Sequence, residues 1–384
     1  MTWEKVRLQD IAMDIQTGPF GSQLHKSDYV ENGTPVVMPK DLMNGAIVQD
    51  TIARVDDFHV EQLSRHKVQA GDILFSRRGD VGRCAYVQEH EEGWLCGTGC
   101  LRARLDKKRA APRFVFYCLQ RGETVNWLEN HAVGSTMLNL NTTIVGNIPL
   151  VLPPYGIQQK IADILSSYDY LIANQQQQIK LLEEAAQRLY KEWFVDLRFP
   201  GWEKAEIVDG VPKGWKRTYL GKLIDVMYGK DHKKVPEEGD IPVYGSGGIM
   251  RKCNKALYEG ESVLIPRKGS LNNIMYVNEA FWTVDTMFYA AMKDKWLAKW
   301  VYFYLRQFDM YSMNIGAAVP SMTVKILDAM DVLLPTVELL QKYDEVASNY
   351  FSQIKVLQKK CELMQEARDR LLPKLISGEI EVSS

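Results

Sequence analysis

Two stretches of this chain place apolar side chains at alternating steps of four and three. In the first, Ile157, Ile161, Ile164, Tyr168 and Leu171 lead through Gln175 and Gln178 to Leu182, Ala185, Leu189 and Trp193. In the second, Leu339, Tyr343, Val346, Tyr350, Ile354, Leu357, Cys361, Met364 and Leu371 follow the same rhythm. Such a stripe winds along one side of an α-helix and is the seam of a coiled coil. Each stretch opens just past a proline, Pro154 or Pro335, which suits a helix start. The second is expected to end around Leu371-Leu372-Pro373, with Gly378 beyond. At 1.5 Å per residue, roughly 37 to 40 residues make rods of about 55 to 60 Å. One stripe on each rod calls for a partner, and antiparallel packing of the two rods supplies it, with Gln175 and Gln178 as polar seam positions that fix register.

The remainder has a shorter period. Runs such as Thr34 to Met38, Asp72 to Phe75, Ala85 to Val87, Ser262 to Ile265 and Ile274 to Val277 read as strands. An aromatic helix follows in each half, over 114–121 and 296–307. Glycine turns fall at Thr17-Gly18-Pro19-Phe20-Gly21-Ser22 and Tyr244-Gly245-Ser246-Gly247-Gly248. Neither has the spacing of a phosphate loop.

The two halves also match residue by residue. The passage from Gly134 to Phe194 overlays that from Gly316 to Ile376 without a gap, at an offset of 182 that pairs Pro153 with Pro335, Gln159 with Gln341 and Arg188 with Arg370. Upstream, with small slips, Ile73-Leu74-Phe75-Ser76-Arg77-Arg78-Gly79 answers Val263-Leu264-Ile265-Pro266-Arg267-Lys268-Gly269, and Trp94 and Thr98 answer Trp282 and Thr286. An internal repeat of this length implies a pseudo-symmetric molecule.

With 384 residues, 46% of them hydrophobic, the chain has material for two cores. Its start, MTWEKVRLQD, lacks the apolar run of a secretory signal, and no stretch of 18 apolar residues occurs, so a soluble cytoplasmic protein with no membrane partner is expected. Six cysteines without C-x-x-C spacing read as reduced, mostly buried thiols. His90, Cys96 and Cys100 lack a fourth ligand and a counterpart in the other half, so no metal is expected.

A net charge of −1 puts any nucleic-acid binding on local patches. Two kinds of patch stand out. The segment 102–113 holds six cations against Asp106, and the pairs Arg77-Arg78 and Arg267-Lys268 occupy the matching point of both halves, each before a glycine. Recurrence favours the pairs. The histidines have no repeat partners, and Asp225, Asp231 and Lys233 make only a forced nuclease pattern, so no catalytic residue is assigned.

The most specific passages are Asn147-Ile148-Pro149-Leu150 through Gln158-Gln159-Lys160-Ile161-Ala162, Leu189-Tyr190-Lys191-Glu192-Trp193-Phe194 through Phe199-Pro200-Gly201, and Leu371-Leu372-Pro373-Lys374-Leu375-Ile376-Ser377-Gly378-Glu379-Ile380. With Gly71 to Gly82 and Ile241 to Gly248, they make the chain resemble the specificity (S) subunits of type I restriction-modification enzymes along essentially its whole length. The resemblance implies two target recognition domains, each reading half of a split site in double-stranded DNA. Two conserved helices would act as ruler and as dock for methyltransferase subunits.

The expected fold is therefore α+β, with two tandem-repeat globular target recognition domains separated by two long antiparallel helices forming a coiled coil. Its parts are a first recognition domain over 1–152, a central helix over 153–197, a second recognition domain over 198–334, and a distal helix and tail over 335–384. The residues expected to meet DNA are Ser22, Ser76, Arg77, Arg78, Gly79, Arg102 and Arg104 in the first half, and Tyr244, Ser246, Arg267, Lys268, Gly269 and Ser270 in the second. The resemblance further implies two methyltransferase (M) and two motor-nuclease (R) subunits as partners. S-adenosylmethionine, ATP and Mg2+ would belong to those partners, and this chain would hold no cofactor.

Leu152-Pro153-Pro154-Tyr155 looks like the [DNS]-P-P-[YFW] motif of amino-methyltransferases. Leucine cannot accept the hydrogen bond that the first residue of that motif takes from the target base, so a strand-to-helix connector is expected instead. The alternative from another class is a non-catalytic coiled-coil scaffold that binds proteins only.

Overall fold

The structure is a computed structural model that describes residues 3–134, 137–208, 210–313 and 321–382. Gly316, which opens the second copy of the repeat, lies outside them. The chain forms two compact units, one of residues 1–174 with 360–384 and the other of residues 175–359. Both boundaries fall inside long helices: a central helix over Tyr155–Tyr190 and a distal helix over Val337–Ser377, about 54 and 62 Å long at the usual rise. Each helix thus gives one part to each unit.

In the first unit, Ile161, Ala162 and Leu165 of the central helix and Leu375 and Ile376 of the distal helix enter one core with Leu8, Phe75, Leu101, Phe114 and Tyr117. Arg368 donates to Asp169 at 2.6 Å, while the Cys361 thiol reaches the Ile172 carbonyl at 3.9 Å. Partner numbers fall as helix numbers rise, so the two segments run in opposite senses within this unit. In the second unit, Ala186, Tyr190 and Trp193 pack with Leu340, Tyr343 and Ala347, and the Phe194 and Tyr343 rings meet edge to face at 4.9 Å.

The buried stripe corrects the sequence reading at alternate positions. Ile161, Tyr168, Gln175, Leu182, Leu189 and Trp193 face inward at least in part, but the intervening positions are Leu165, Ile172, Ile179 and Ala186. Ile164 and Leu171 are exposed. Sequence could not separate them, because Ile164-Leu165, Leu171-Ile172 and Ala185-Ala186 each offer two apolar neighbours and both choices keep the 3–4 rhythm. In the distal helix the same slip puts Leu340 and Ala347 inside where Leu339 and Val346 were expected. The distal helix also runs through Pro373 to Ser377, since burial of Leu375 and Ile376 outweighs the backbone hydrogen bond that proline gives up.

The sheets of the two units share an order. In the first unit Ala12–Thr17, Cys100–Leu105, Ile73–Ser76 and Cys84–Tyr86 lie side by side, all antiparallel. In the second, Ile224–Tyr228, Met287–Met292, Tyr258–Pro266 and Met275–Thr283 repeat that order and continue into Ile241–Gly245 and Gly248–Cys253. The extension begins with a parallel pairing of Val243 with Trp282, and the first unit has a parallel pairing of Val36 with Leu95 in a separate four-stranded sheet. A 3₁₀ turn at Glu89–Glu91 comes between Cys84–Tyr86 and Leu95–Cys96, whereas Met275–Thr283 runs on as one strand.

Residues 182 apart make the same contacts. Strand Glu4–Arg7 pairs Glu4 with Leu152, and strand Lys216–Tyr219 pairs Lys216 with Leu334. The Asn141 side chain caps a short helix at Ile144 N, and that of Thr323 does so at Ile326 N.

Candidate nucleic-acid interface

Strand Ile73–Ser76 is buried throughout and delivers the chain into the turn Arg77-Arg78-Gly79. Arg77 N donates to Gly99 O at 2.8 Å, Leu140 N donates to Arg77 O at 2.9 Å, and Arg78 forms a β-bridge with Asn139. Gly79 stands at φ +78°, the left-handed region that a side chain disfavours, so the paired cations are followed by glycine for a backbone reason. Ser76 is buried, and its hydroxyl donates to Arg78 O at 3.0 Å, which makes it a brace for the turn. The Arg78 side chain is exposed.

The second unit builds its turn the same way. Strand Tyr258–Pro266 leads into Arg267-Lys268-Gly269, with Arg267 N on Thr286 O at 2.8 Å, Met322 N on Arg267 O at 2.9 Å, and Lys268 bridged to Ser321. Ser321 and Met322 lie 182 residues beyond Asn139 and Leu140, so both turns are fixed against the same part of each half. Gly269 takes φ +85°. Arg267 lies over the Tyr228 ring at 5.4 Å and donates to Asp285 O at 3.2 Å, while Lys268 and Ser270 are exposed.

A second loop flanks each turn. Strand Ala12–Thr17 ends at Gly18, whose N–H donates to Cys100 O at 2.9 Å. Strand Ile224–Tyr228 ends at Gly229, whose N–H donates to Met287 O at 2.9 Å. A methyl group on either glycine would stand 2.0 Å from a backbone oxygen, that of Gly97 or Val284, so only glycine fits. Ser22 is exposed in the first loop. The second is cationic: Lys230 and Lys233 are exposed, and Lys230 N donates to Thr283 O at 2.9 Å. Sequence reading passed over Lys230 and weighed Lys233 only within the forced nuclease pattern. The signal for them was present, as a glycine directly after the first sheet strand in both halves.

Besides Ser76, two expected groups face inward. Tyr244 is buried with its hydroxyl on Glu279 at 2.7 Å, and the hydroxyl's pKa is raised by burial and by that carboxylate. Its neighbour Ser246 lies beside the basic turn, since Asn273 Nδ2 donates to Ser246 O at 2.8 Å and a methyl on Gly269 would meet Ser246 Oγ at 2.7 Å. Arg102 is 4% exposed and donates to Lys67 O at 2.8 Å, Asp14 at 2.5 Å and Gln16 at 3.0 Å. Arg104 makes two hydrogen bonds to Asp72, at 2.9 and 2.7 Å. These arginines point across the sheet because alternate residues of a strand share a face. They form an internal network, a correction to their expected place at the DNA surface.

The sequence matches the family described as type I restriction modification DNA specificity domain over residues 1–184 and 212–362. The chain belongs to that family. It is 24% identical over 422 residues to the type I restriction enzyme MjaIX specificity subunit of Methanocaldococcus jannaschii, covering 99% of this chain and 94% of that one. It is 20% identical over 465 residues to the HindI specificity subunit of Haemophilus influenzae, covering 98% and 99%. The crystal structure of a type I restriction-modification S subunit from M. genitalium has the same fold, with a TM-score of 0.62 at 17% identity and coverage of 100% and 97%.

For this specificity-family chain the remaining motifs have plain structural places. Leu152 to Tyr155 joins strand Pro149–Leu152 to the central helix, and the Pro153 carbonyl accepts from Gln158 Nε2 at 2.9 Å. Asp231 caps Lys233 N at 3.0 Å, and Asp225 pairs with Lys293 at 3.6 Å. Cys96 and Cys100 are buried, with the Cys96 thiol pushed up to about 12 by burial, whereas the side chain of His90 is 67% exposed. No described helix is long and apolar enough to cross a membrane.

Proposed function

We propose that this chain is the non-catalytic, cytoplasmic DNA-recognition subunit of a type I restriction-modification complex. The globular parts over 1–152 and 198–334 each read one half of a bipartite duplex site. The helical parts over 153–197 and 335–384 pack as an antiparallel coiled coil that sets the spacer. Two methyltransferase subunits dock on them, two motor-nuclease subunits join for cleavage, and S-adenosylmethionine, ATP and Mg2+ act in those partners.

The observation that carries this reading is the duplicated turn. Arg77-Arg78-Gly79 and Arg267-Lys268-Gly269 are held by equivalent backbone bonds, and each presents an exposed cation beside a second glycine-anchored loop. Arginine matches the acceptors of guanine in the major groove, and lysine serves guanine or phosphate. Family membership supports DNA as the ligand, and the tandem turns support a reading with two half-sites.

The test is to express the chain with its methyltransferase subunit in a host lacking type I systems and to map modified adenines. The expected site is two short defined sequences across an undefined spacer of fixed length. A continuous site would overturn the two-reader arrangement. No modification, together with no duplex binding by the complex, would favour a protein-only scaffold.

A further inference from the structure

We infer that the loop Gly229–Lys233 is a backbone-phosphate clamp for the half-site contacted by the second unit, and that the equivalent loop Gly18–Ser22 gives the first half-site no such clamp. This rests on the reading of the chain as a DNA-recognition subunit.

Position comes from the backbone. The segment 283–287 holds the loop on one side, through Lys230 N to Thr283 O and Gly229 N to Met287 O, both at 2.9 Å. It holds the basic turn on the other, through Arg267 N to Thr286 O at 2.8 Å. Whatever the turn of Arg267 and Lys268 meets, the loop meets its neighbour. Between them Tyr228 lies under the Arg267 guanidinium.

Rigidity comes from Arg251. Its guanidinium donates to the carbonyls of His232 and Val235, the latter at 2.8 Å, and its Nε donates to His232 Nδ1 at 3.2 Å. Asp231 turns its carboxylate onto Lys233 N at 3.0 Å. The loop is thereby set before any ligand arrives, which lowers the entropy lost on binding.

Charge decides the ligand. Lys230 and Lys233 are exposed, and no ion pair to either is present among the described residues. A lysine ammonium is a compact, flexible point charge that suits phosphate oxygens better than the planar acceptor pattern of a base edge. The first unit has the same glycine anchor, but its loop reads Gly18-Pro19-Phe20-Gly21-Ser22, without a cation. Phe20 is 57% exposed there.

The experiment uses the chain in complex with its methyltransferase subunit and a duplex carrying the mapped site, with dissociation constants measured from 50 to 200 mM salt. Each phosphate neutralised contributes about −0.9 to the slope of log K against log salt. Replacing Lys230 and Lys233 together, by Ala and separately by Gln, should make the slope shallower by about 1.8. The affinity lost across that fourfold salt range then shrinks by about 12-fold, with the methylated sequence unchanged. Replacing Phe20 by Ala should leave the slope unaltered. An unchanged slope in both lysine variants would overturn the clamp while leaving the recognition reading intact. A changed base preference at the second half-site with the slope preserved would overturn it in favour of a base reader. If the unaltered complex shows no salt-dependent binding, the recognition reading itself fails, and the clamp with it.

Discussion

Two groups of arginines in the first unit meet opposite fates. Arg102 and Arg104 sit two residues apart on strand Cys100–Leu105, and their charges are spent on Asp14, Asp72 and the carbonyls of the loop before the neighbouring strand. Arg78 sits on a turn whose backbone is satisfied by Asn139 and Leu138, and its side chain is left to solvent. Charge density along the sequence favoured the strand, whereas recurrence favoured the turn. The second unit makes the distinction plain. Sheet register puts Tyr289 and Ala291 where the first unit has Arg102 and Arg104, but Arg267 and Lys268 stand where it has Arg77 and Arg78. Arg102 and Arg104, whose places in the other half are taken by Tyr289 and Ala291, are held by their own unit through Asp14 and Asp72.

The comparison breaks most sharply at Arg102. Arg102→Ala should destabilise the first unit by roughly 3–5 kcal/mol, the usual cost of leaving one side of a buried charged network unpaired. Denaturant unfolding monitored by tryptophan fluorescence reads this directly. The second unit's transition should stay where it was. A loss of DNA binding by Arg102→Ala with unaltered stability would return this arginine to the interface.

The same network predicts a pH dependence. His66 is 2% exposed, and burial, then the charges of Arg65 and Arg102, depress its pKa to about 4 from the ordinary 6.5. A base whose folded pKa lies below its unfolded one is neutral in the fold, so the unfolded chain takes up the proton first as pH falls. Stability is full above about pH 6.5 and is lost on going down to about pH 4, at roughly 1.4 kcal/mol per unit and about 3 kcal/mol in all. Unfolding curves between pH 7 and 4 test it, with His66→Asn expected to flatten the dependence of the first unit. A profile that rises toward acid would refute the neutral, buried imidazole.

At the turns the effects move from folding to binding. Arg78→Ala should leave unfolding within about 0.5 kcal/mol of the original and weaken or relax recognition at one half-site by roughly 1–3 kcal/mol. Lys268→Ala should act on the other half-site, and by less if the lysine meets only phosphate. Binding to duplexes altered in one half-site at a time separates the two. Equal losses at both half-sites from either change would mean that the turns touch DNA without reading it.

What sequence made legible, and what it hid, divides along the same physical line. Local periodicity found both long helices and all five strand runs quoted above, because a repeated stripe or a short β-branched run is written in neighbouring residues. The repeat found the turns, which lie 190 residues apart but are held by partners 182 apart, Asn139 and Leu140 in one half and Ser321 and Met322 in the other. Direction of side chains was hidden. Whether Leu171 or Ile172 faces in, or whether Arg102 and Tyr244 point at solvent or at a carboxylate, is settled by partners far along the chain, such as Asp14 for Arg102 and Glu279 for Tyr244. Lys230 and Lys233 were hidden differently. They belong to a loop whose counterpart in the first half shares only its glycine, so no residue-by-residue match pointed to them.

The smallest expected effect concerns the cations that continue the basic run beyond the strand. Lys107 donates to Ala70 O at 3.2 Å, Arg109 donates to Asp10 O, and Arg113 covers the Tyr86 ring at 4.2 Å, so three of the four are tied to the protein. Lys108 is exposed, and the bond at that residue is made by its backbone N–H, to Asp106 at 2.9 Å. If the run is a solvated edge of the first unit, Lys108→Ala should change stability by less than about 0.5 kcal/mol and leave the salt dependence of DNA binding unaltered. If the run reaches DNA despite the internal commitments of its neighbours, the same substitution should make the slope shallower by about 0.9. A salt titration of this one variant therefore decides whether the strand and the turn belong to different surfaces or to one. An altered slope would mean that the burial of Arg102 and Arg104 marks the floor of an interface, and that cations beside a buried network still reach the phosphates.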